Sequence, residues 1–388
     1  MKRSTARFLT THTGSLPRPD DLVRMMFAKE EGVPIDKTAL EARIRSATAE
    51  VAQRQAASGI DIINDGEMGK PSYATYVKDR LNGFGGASVP VTGYQDLIHF
   101  PDLAKKVFGD AGRARRKTPG CDGPIRVRDP QAAVRDTESL KAALQGVKSE
   151  DGFLSAASPG VVSLFFGNLY YPDHRSYLFA IADAMREEYE AIAKAGFIVQ
   201  ADCPDLAMGR HIQFADLTVP EFRKMAQLHI EALNHAMANV PPEQSRIHLC
   251  WGNYEGPHHY DVPLRDIIEV VFEARPSAIS FEAANPRHAH EWTVFKHIKL
   301  PPGKVLIPGV IESKTNYIEH PELVAQRISR YAELVGRENV IAGTDCGFAT
   351  WVGQAAVDPA VVWCKLQSLA EGARIASKDF WSMQSAMK

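Results

Sequence analysis

The chain is poor in cysteine, has no surplus of either charge and lacks any long apolar run, and each shortage excludes a class of protein. Five cysteines in 388 residues cannot form a disulfide scaffold. Lys and Arg total 45 against 47 Asp and Glu, so nothing attracts nucleic acid or an anionic membrane globally. No stretch approaches the roughly 18 apolar residues of a membrane span. The basic start at Met1, Lys2 and Arg3 meets Gly14 and Pro17 before any apolar run of signal-peptide length. A cytoplasmic setting with reduced cysteines is therefore expected, with small molecules as partners and a homodimer only as the commonest assembly. What is present is a 45% hydrophobic chain long enough to bury about three quarters of its unfolded surface. Any metal would then serve chemistry rather than folding.

Short β-rich runs alternate with amphipathic stretches. Strands are expected at 8–12, 60–64, 125–127, 153–156, 197–200, 246–249, 278–282, 305–310 and 340–343. Helices are expected at about 39–58, 131–147, 173–194, 217–238, 262–274, 321–335 and 359–377. Such alternation argues for a parallel sheet with both faces covered. With roughly eight such units and no break between domains, the expected fold is one α/β domain over 1–388, a (β/α)8 TIM barrel with elaborated loops. An open doubly wound sheet is the alternative, though no Gly-rich dinucleotide fingerprint follows the first strand. An irregular insertion is expected at about 82–122, because Gly83, Gly85 and Gly86 favour a turn or loop. Its basic run, Arg113-Ala114-Arg115-Arg116-Lys117, reads as a solvated face, or alternatively as a contact for a phosphorylated or polyglutamylated ligand.

In a barrel, chemistry sits at the carboxyl ends of the strands. Here those ends carry Thr11-His12-Thr13-Gly14-Ser15, Asn64-Asp65-Gly66-Glu67, Asp202-Cys203-Pro204-Asp205, His248-Leu249-Cys250, Glu282 and Asp345-Cys346-Gly347. Polar groups after apolar strands are costly to bury unless paired or metal-bound. Period two on a strand puts His248 and Cys250 on one face. Cys346 can close on the same point and Glu282 offers an oxygen, a donor set that suits zinc. Two alternatives stay open: ordinary buried cysteines with a satisfied histidine, or a cysteine nucleophile activated by His248 or His12. Cys121 and Cys364 are expected to serve structure.

Taken together, Thr11 to Pro17, Asp65-Gly66-Glu67, Asp202-Cys203-Pro204, His248-Leu249-Cys250, Ile279-Ser280-Phe281-Glu282 and Asp345-Cys346-Gly347 resemble the catalytic half of the cobalamin-independent methionine synthase family. The resemblance implies a (β/α)8 barrel with Zn2+ held by His248, Cys250, Glu282 and Cys346. It implies that Ser15, Glu67 and Asp202 bind the amino-acid part of homocysteine, and that a methylated folate is the co-substrate. The chain departs from the family pattern at Lys314, where the family has a histidine that handles protons, and at Cys203, where it has a glutamate. The second barrel of the full-length family enzyme has no counterpart here.

Methyl transfer from a small-molecule donor to an activated thiol is thus the expected reaction, with Glu67, Asp202 and Lys314 as candidate catalytic residues. The runner-up is epoxide–thiol addition, as in the related epoxyalkane–coenzyme M transferases, or another thiol alkyl transfer. A non-catalytic metal-binding barrel is the remaining class. Lys314 either offers charge to substrate or merely pairs with Glu312 or Asp345. Asn253 is a candidate substrate contact or else tethers its loop, and Arg287 is a candidate bidentate partner for a carboxylate or sulfonate or else a surface salt-bridge partner. Phe165 is a candidate to stack on a flat donor, with ordinary wall packing as the alternative.

Overall fold

The computed structural model describes residues 1–89, 94–109, 113, 115–354 and 356–382. Pro90 and Ala114, within the expected insertion, lie outside them. Seven strands form one parallel sheet in the order β1 (Ile62–Asn64), β4 (Asp151–Ala157), β5 (Ile198–Asp202), β6 (Ser245–Leu249), β7 (Ala278–Phe281), β8 (Val305–Ile311) and β9 (Gly343–Thr344). Neighbours in the sheet are mostly consecutive in sequence, with helices in the crossovers, as the alternation required.

The helices cover the outer face because their apolar residues recur at helical spacing. Helix Val219–Ala236 buries Phe222, Ala226, His229, Ile230 and Leu233, and begins with a capping box between Thr218 and Glu221. Helix His174–Lys194 starts at Asp173, whose side chain accepts the Ser176 N–H at 2.7 Å. Helix Pro321–Val335 coincides with the expected one. Among the described residues no helix is long and apolar enough to cross a membrane.

The sheet is strongly curled. Leu9, Ile62, Phe153, Ile198, Ala278, Val305, Ile307 and Ile341 form a core cluster of their own. Residues from β1 and β8, far apart in strand order, meet there only if the inner face bends toward itself. Arg246 of β6 reaches across this interior, donating to Gln200 Oε1 at 2.7 Å, Thr11 Oγ1 at 3.0 Å and the His12 carbonyl at 2.9 Å. The first expected strand is reduced to a single parallel bridge, Thr10 to Ala342. Backbone bonds from Thr11 N–H to Ala342 and from Ile62 N–H to Thr10 nevertheless link residues 10–11 to both edges of the sheet.

One expected strand changes partners. Residues 125–127 belong to β3 (Gly120–Val127), which pairs antiparallel with β2 (Leu81–Gly86) outside the main sheet. The glycines expected to make a loop therefore lie in a strand. A Cβ at Gly83 would come within 2.9 Å of the Gly123 carbonyl, and one at Gly86 within 2.9 Å of the Asp122 Cβ. Glycine here permits close approach across a bulged antiparallel strand pair rather than a turn.

Candidate active site

The strand ends open into one pocket, and its floor holds three ligand-type side chains. His248 Nε2 lies 3.5 Å from Cys346 Sγ, and Cys250 Sγ lies 3.3 Å from Cys346 Sγ. All three donor atoms fall within 4.8 Å of one another, and all three residues are buried. Ions bound tetrahedrally at zinc–sulfur and zinc–nitrogen lengths separate their donors by about 3.5–3.8 Å. The observed spacings come close to that, so the set fits such an ion without rearranging the backbone. Ser280 is paired in register with His248 across β6 and β7, and its Oγ lies 3.1 Å from His248 Nδ1. That contact leaves Nε2 facing the thiols. The Cys346 thiol is pulled down to about 6, chiefly by its contact with Cys250 and then by His248, while Cys250 is pushed up.

Glu282 does not join this group. Its Oε1 accepts the Trp251 N–H at 2.9 Å; its Oε2 accepts Lys314 Nζ at 2.6 Å and the Asn285 amide at 2.9 Å. Lys314 therefore pairs with neither Glu312 nor Asp345 through its ammonium. Burial disfavours the ammonium, but Glu282, Cys346 and Asp345 outweigh it and hold the proton on more tightly than usual. A lysine held this way carries a positive charge beside Glu282. Asp345 in turn fixes the loop after β7: Oδ1 accepts from Ala283 and Ala284 N–H at 2.8 and 2.7 Å, and Oδ2 from Asn285 N–H at 2.8 Å.

An acidic pair, Glu67 and Asp202, lines the same pocket, with Asp202 in register beside His248 across β5 and β6. Glu67 is one of two described non-glycine residues with positive φ, at 58°, a conformation that costs about 1 kcal/mol. Asp65 Oδ1 accepts the Glu67 N–H at 2.9 Å, and Arg18 donates to the carbonyls of Glu67, Lys70 and Ala349. The strained turn is thus held from both sides, and it aims the carboxylate inward. Glu67 Oε2 is buried with no hydrogen-bond partner among the described residues. Burial first, and neighbouring Asp202 second, raise its carboxyl to about 8; burial also raises Asp202 to about 6. Two buried carboxyls with spare acceptor capacity suit an ammonium. Ser15 is packed so closely that a Cβ on Gly347 would sit 2.0 Å from its Oγ.

Of the residues singled out from sequence, Ser15, Glu67, Phe165, Asp202, His248, Cys250, Asn253 and Cys346 line this pocket. Glu282 and Lys314 stand beside it as a pair. Arg287 lies elsewhere, exposed and donating to the His259 carbonyl at 3.2 Å. His12 is tied to Gln55 at 2.7 Å and to the Gly14 N–H, and burial lowers it to about 4, so it activates neither cysteine. His258 is occupied by Asp261 at 2.9 Å and the Tyr254 carbonyl at 3.0 Å. Sequence reading missed Ser280, although period two from Glu282 places it on the same face. It also missed Tyr73, Tyr94, Thr350 and Trp351, which loops bring to the pocket without a periodic signal.

Residues 171–362 match the family model for the catalytic domain of cobalamin-independent synthases. The 2-hydroxypropyl-CoM lyase of Xanthobacter autotrophicus is 26% identical, over 96% of this chain and 91% of the relative. The methionine synthase of Thermococcus kodakarensis is 23% identical, over 95% and 94%. The fold is shared with a B12-independent methionine synthase from Shewanella sp. W3-18-1, solved with selenomethionine: TM-score 0.73, 20% identity, covering 97% of this chain and all of that one.

Proposed function

We propose, from the premise that this chain belongs across residues 171–362 to the cobalamin-independent synthase family, that the protein is a zinc-dependent thiol methyltransferase. The scaffold is read as a (β/α)8 barrel in which residues 9–11 stand in for the eighth strand. The observation that carries the reading is the convergence of His248, Cys250 and Cys346 on one point in the pocket that also holds Glu67 and Asp202.

These three side chains would hold the ion, with Glu282 as a fourth donor once it gives up one of its present partners. When bound, zinc supplies Lewis acidity that makes a thiol a thiolate at neutral pH. The residues of the chain do the rest. Glu67 and Asp202 receive the ammonium of an amino-acid thiol such as homocysteine, and Ser15 can donate to its carboxylate. Phe165 offers a face to the donor, a methylated folate or another small methylated molecule. Burial excludes water, and the fixed walls align sulfur with the methyl carbon, which is where much of the rate in such transfers originates.

A second reading, addition of a thiol to an epoxide, is favoured by the similarity to the 2-hydroxypropyl-CoM lyase and by Lys314 at the position of the family histidine. Mass spectrometry of the zinc-loaded protein with homocysteine or 2-mercaptoethanesulfonate, and with methylated folates, aromatic methyl ethers or epoxides, separates the two. A thiol heavier by a methyl group supports methyl transfer; a hydroxyalkyl thioether supports addition. About one zinc per chain is expected, largely lost in Cys250→Ser and Cys346→Ser. Full zinc occupancy in both variants would sink the ligand assignment.

A further inference from the structure

The inner face of the curled sheet carries polar side chains in two layers. Register sets Asp202 of β5 beside His248 of β6, and one layer further from the carboxyl ends it sets Gln200 beside Arg246. Period two puts Gln200 and Asp202 on the same face of β5. Hydrogen bonds join the layers. Arg246 Nε donates to Gln200 Oε1 at 2.7 Å, and Gln200 Nε2 donates to Asp202 Oδ1 at 2.8 Å and to the Thr13 carbonyl. The other Arg246 nitrogens donate to Thr11 Oγ1 and the His12 carbonyl, and the guanidinium lies 3.6 Å over the Phe153 ring. Gln200 and Arg246 are fully buried; Asp202 is buried too and lines the pocket.

Arginine has donors and no acceptor, so Arg246 takes the oxygen of the Gln200 amide and leaves its nitrogen to Asp202. The amide thereby faces one way only. A cation bonded to an amide oxygen polarises the group and strengthens its N–H as a donor, the more so where water is excluded. The three oxygens that accept from Arg246 are all neutral, and a buried charge is costly unless it is compensated. The Asp202 carboxylate, one amide away, compensates it. We propose that Arg246 and Gln200 are positioning residues for substrate recognition, with Arg246 acting through the Gln200 amide to hold Asp202 as the anchor for the ammonium of an amino-acid thiol. This rests on the reading of Asp202 as an ammonium contact, and the experiment separates the two.

Dissociation constants are measured by calorimetry on the full chain with zinc added. The ligands are homocysteine and 4-mercaptobutyrate, which keeps the thiol and the carboxylate but lacks the amine. The unaltered protein should bind homocysteine about tenfold or more tightly. In Gln200→Glu the new carboxylate still accepts from Arg246, so the cation keeps a partner, but an acceptor faces Asp202 where a donor stood. The preference for homocysteine should then fall about tenfold, with 4-mercaptobutyrate changed by less than about twofold. Arg246→Met should lower the preference as well, and Arg246→Lys, which keeps the charge, should restore part of it. A spectroscopic readout on the unaltered protein does not depend on how the variants fold. With isotopically labelled glutamine, one side-chain amide resonance should shift when homocysteine binds and stay in place with 4-mercaptobutyrate. A preference near one in the unaltered protein would remove Asp202 as the ammonium contact, and the positioning role with it. A strong preference that survives Gln200→Glu and Arg246→Met, an equal loss of both thiols in those variants, or the absence of a shifting amide would overturn the positioning role alone.

Discussion

Lys314 Nζ stands 2.6 Å from Glu282 Oε2, both groups buried, so this lysine holds the carboxylate proposed as a fourth metal donor. The two roles of Glu282 compete. With the ion absent, Lys314 neutralises it; with the ion bound, the carboxylate has two cations to choose between. Removing one partner of such a buried pair costs about 3–5 kcal/mol. Lys314→Met should therefore lower the melting temperature of the metal-free protein sharply, and added zinc should recover more stability in the variant than in the parent. Equal zinc stabilisation of both proteins would mean that lysine and metal do not share this carboxylate.

Glu67 predicts a pH dependence whose sign follows from its surroundings. The carboxyl is raised from 4.5 to about 8, by burial first and Asp202 second. The folded state therefore binds a proton that the unfolded chain releases. The stability from this group is fully present below pH 4.5 and is lost as pH rises through about 8. Glu67→Gln keeps the neutral form at every pH. Its melting temperature should gain on the parent between those limits, and parallel curves across the range would refute the shifted carboxyl.

Asp345 acts on the site through backbone. It accepts three consecutive N–H groups at 2.7–2.8 Å, from Ala283, Ala284 and Asn285, and so fixes the loop that follows Glu282. In Asp345→Asn the amide would confront N–H donors with another donor. A loss of about 3 kcal/mol is expected in urea unfolding, together with weaker metal retention. A loss under about 1 kcal/mol would show that the loop holds its own shape.

Gly347 has a different kind of constraint. A Cβ there would fall 2.0 Å from Ser15 Oγ and 3.3 Å from the Ser15 backbone nitrogen, so Gly347→Ala should displace the hydroxyl at some cost in stability. Homocysteine should then bind about tenfold more weakly, while 2-mercaptoethanol, with no carboxylate for Ser15 to meet, should bind as before. Equal weakening of both would remove Ser15 from substrate recognition.

The chain's own spacing determined much of this arrangement. Period two placed His248, in β6, and Cys250, one residue past its end, on one side, and the polar ends of apolar strands marked Ser15, Glu67, Asp202 and Cys346 as members of a site. These signals are legible because strand geometry is local: alternate residues share a face whatever the rest of the chain does. The tertiary structure alone decided which partner each charged group takes. It paired Lys314 with Glu282 across 32 residues, sent Arg287 to the surface, and brought Arg113 and Arg116 to the pocket while Arg115 turned out to pair with Glu31. It also placed the glycines of β2 in an antiparallel pairing with β3. Those outcomes depend on contacts between segments remote in sequence, where several acceptors compete for one donor and only burial in the assembled fold selects among them.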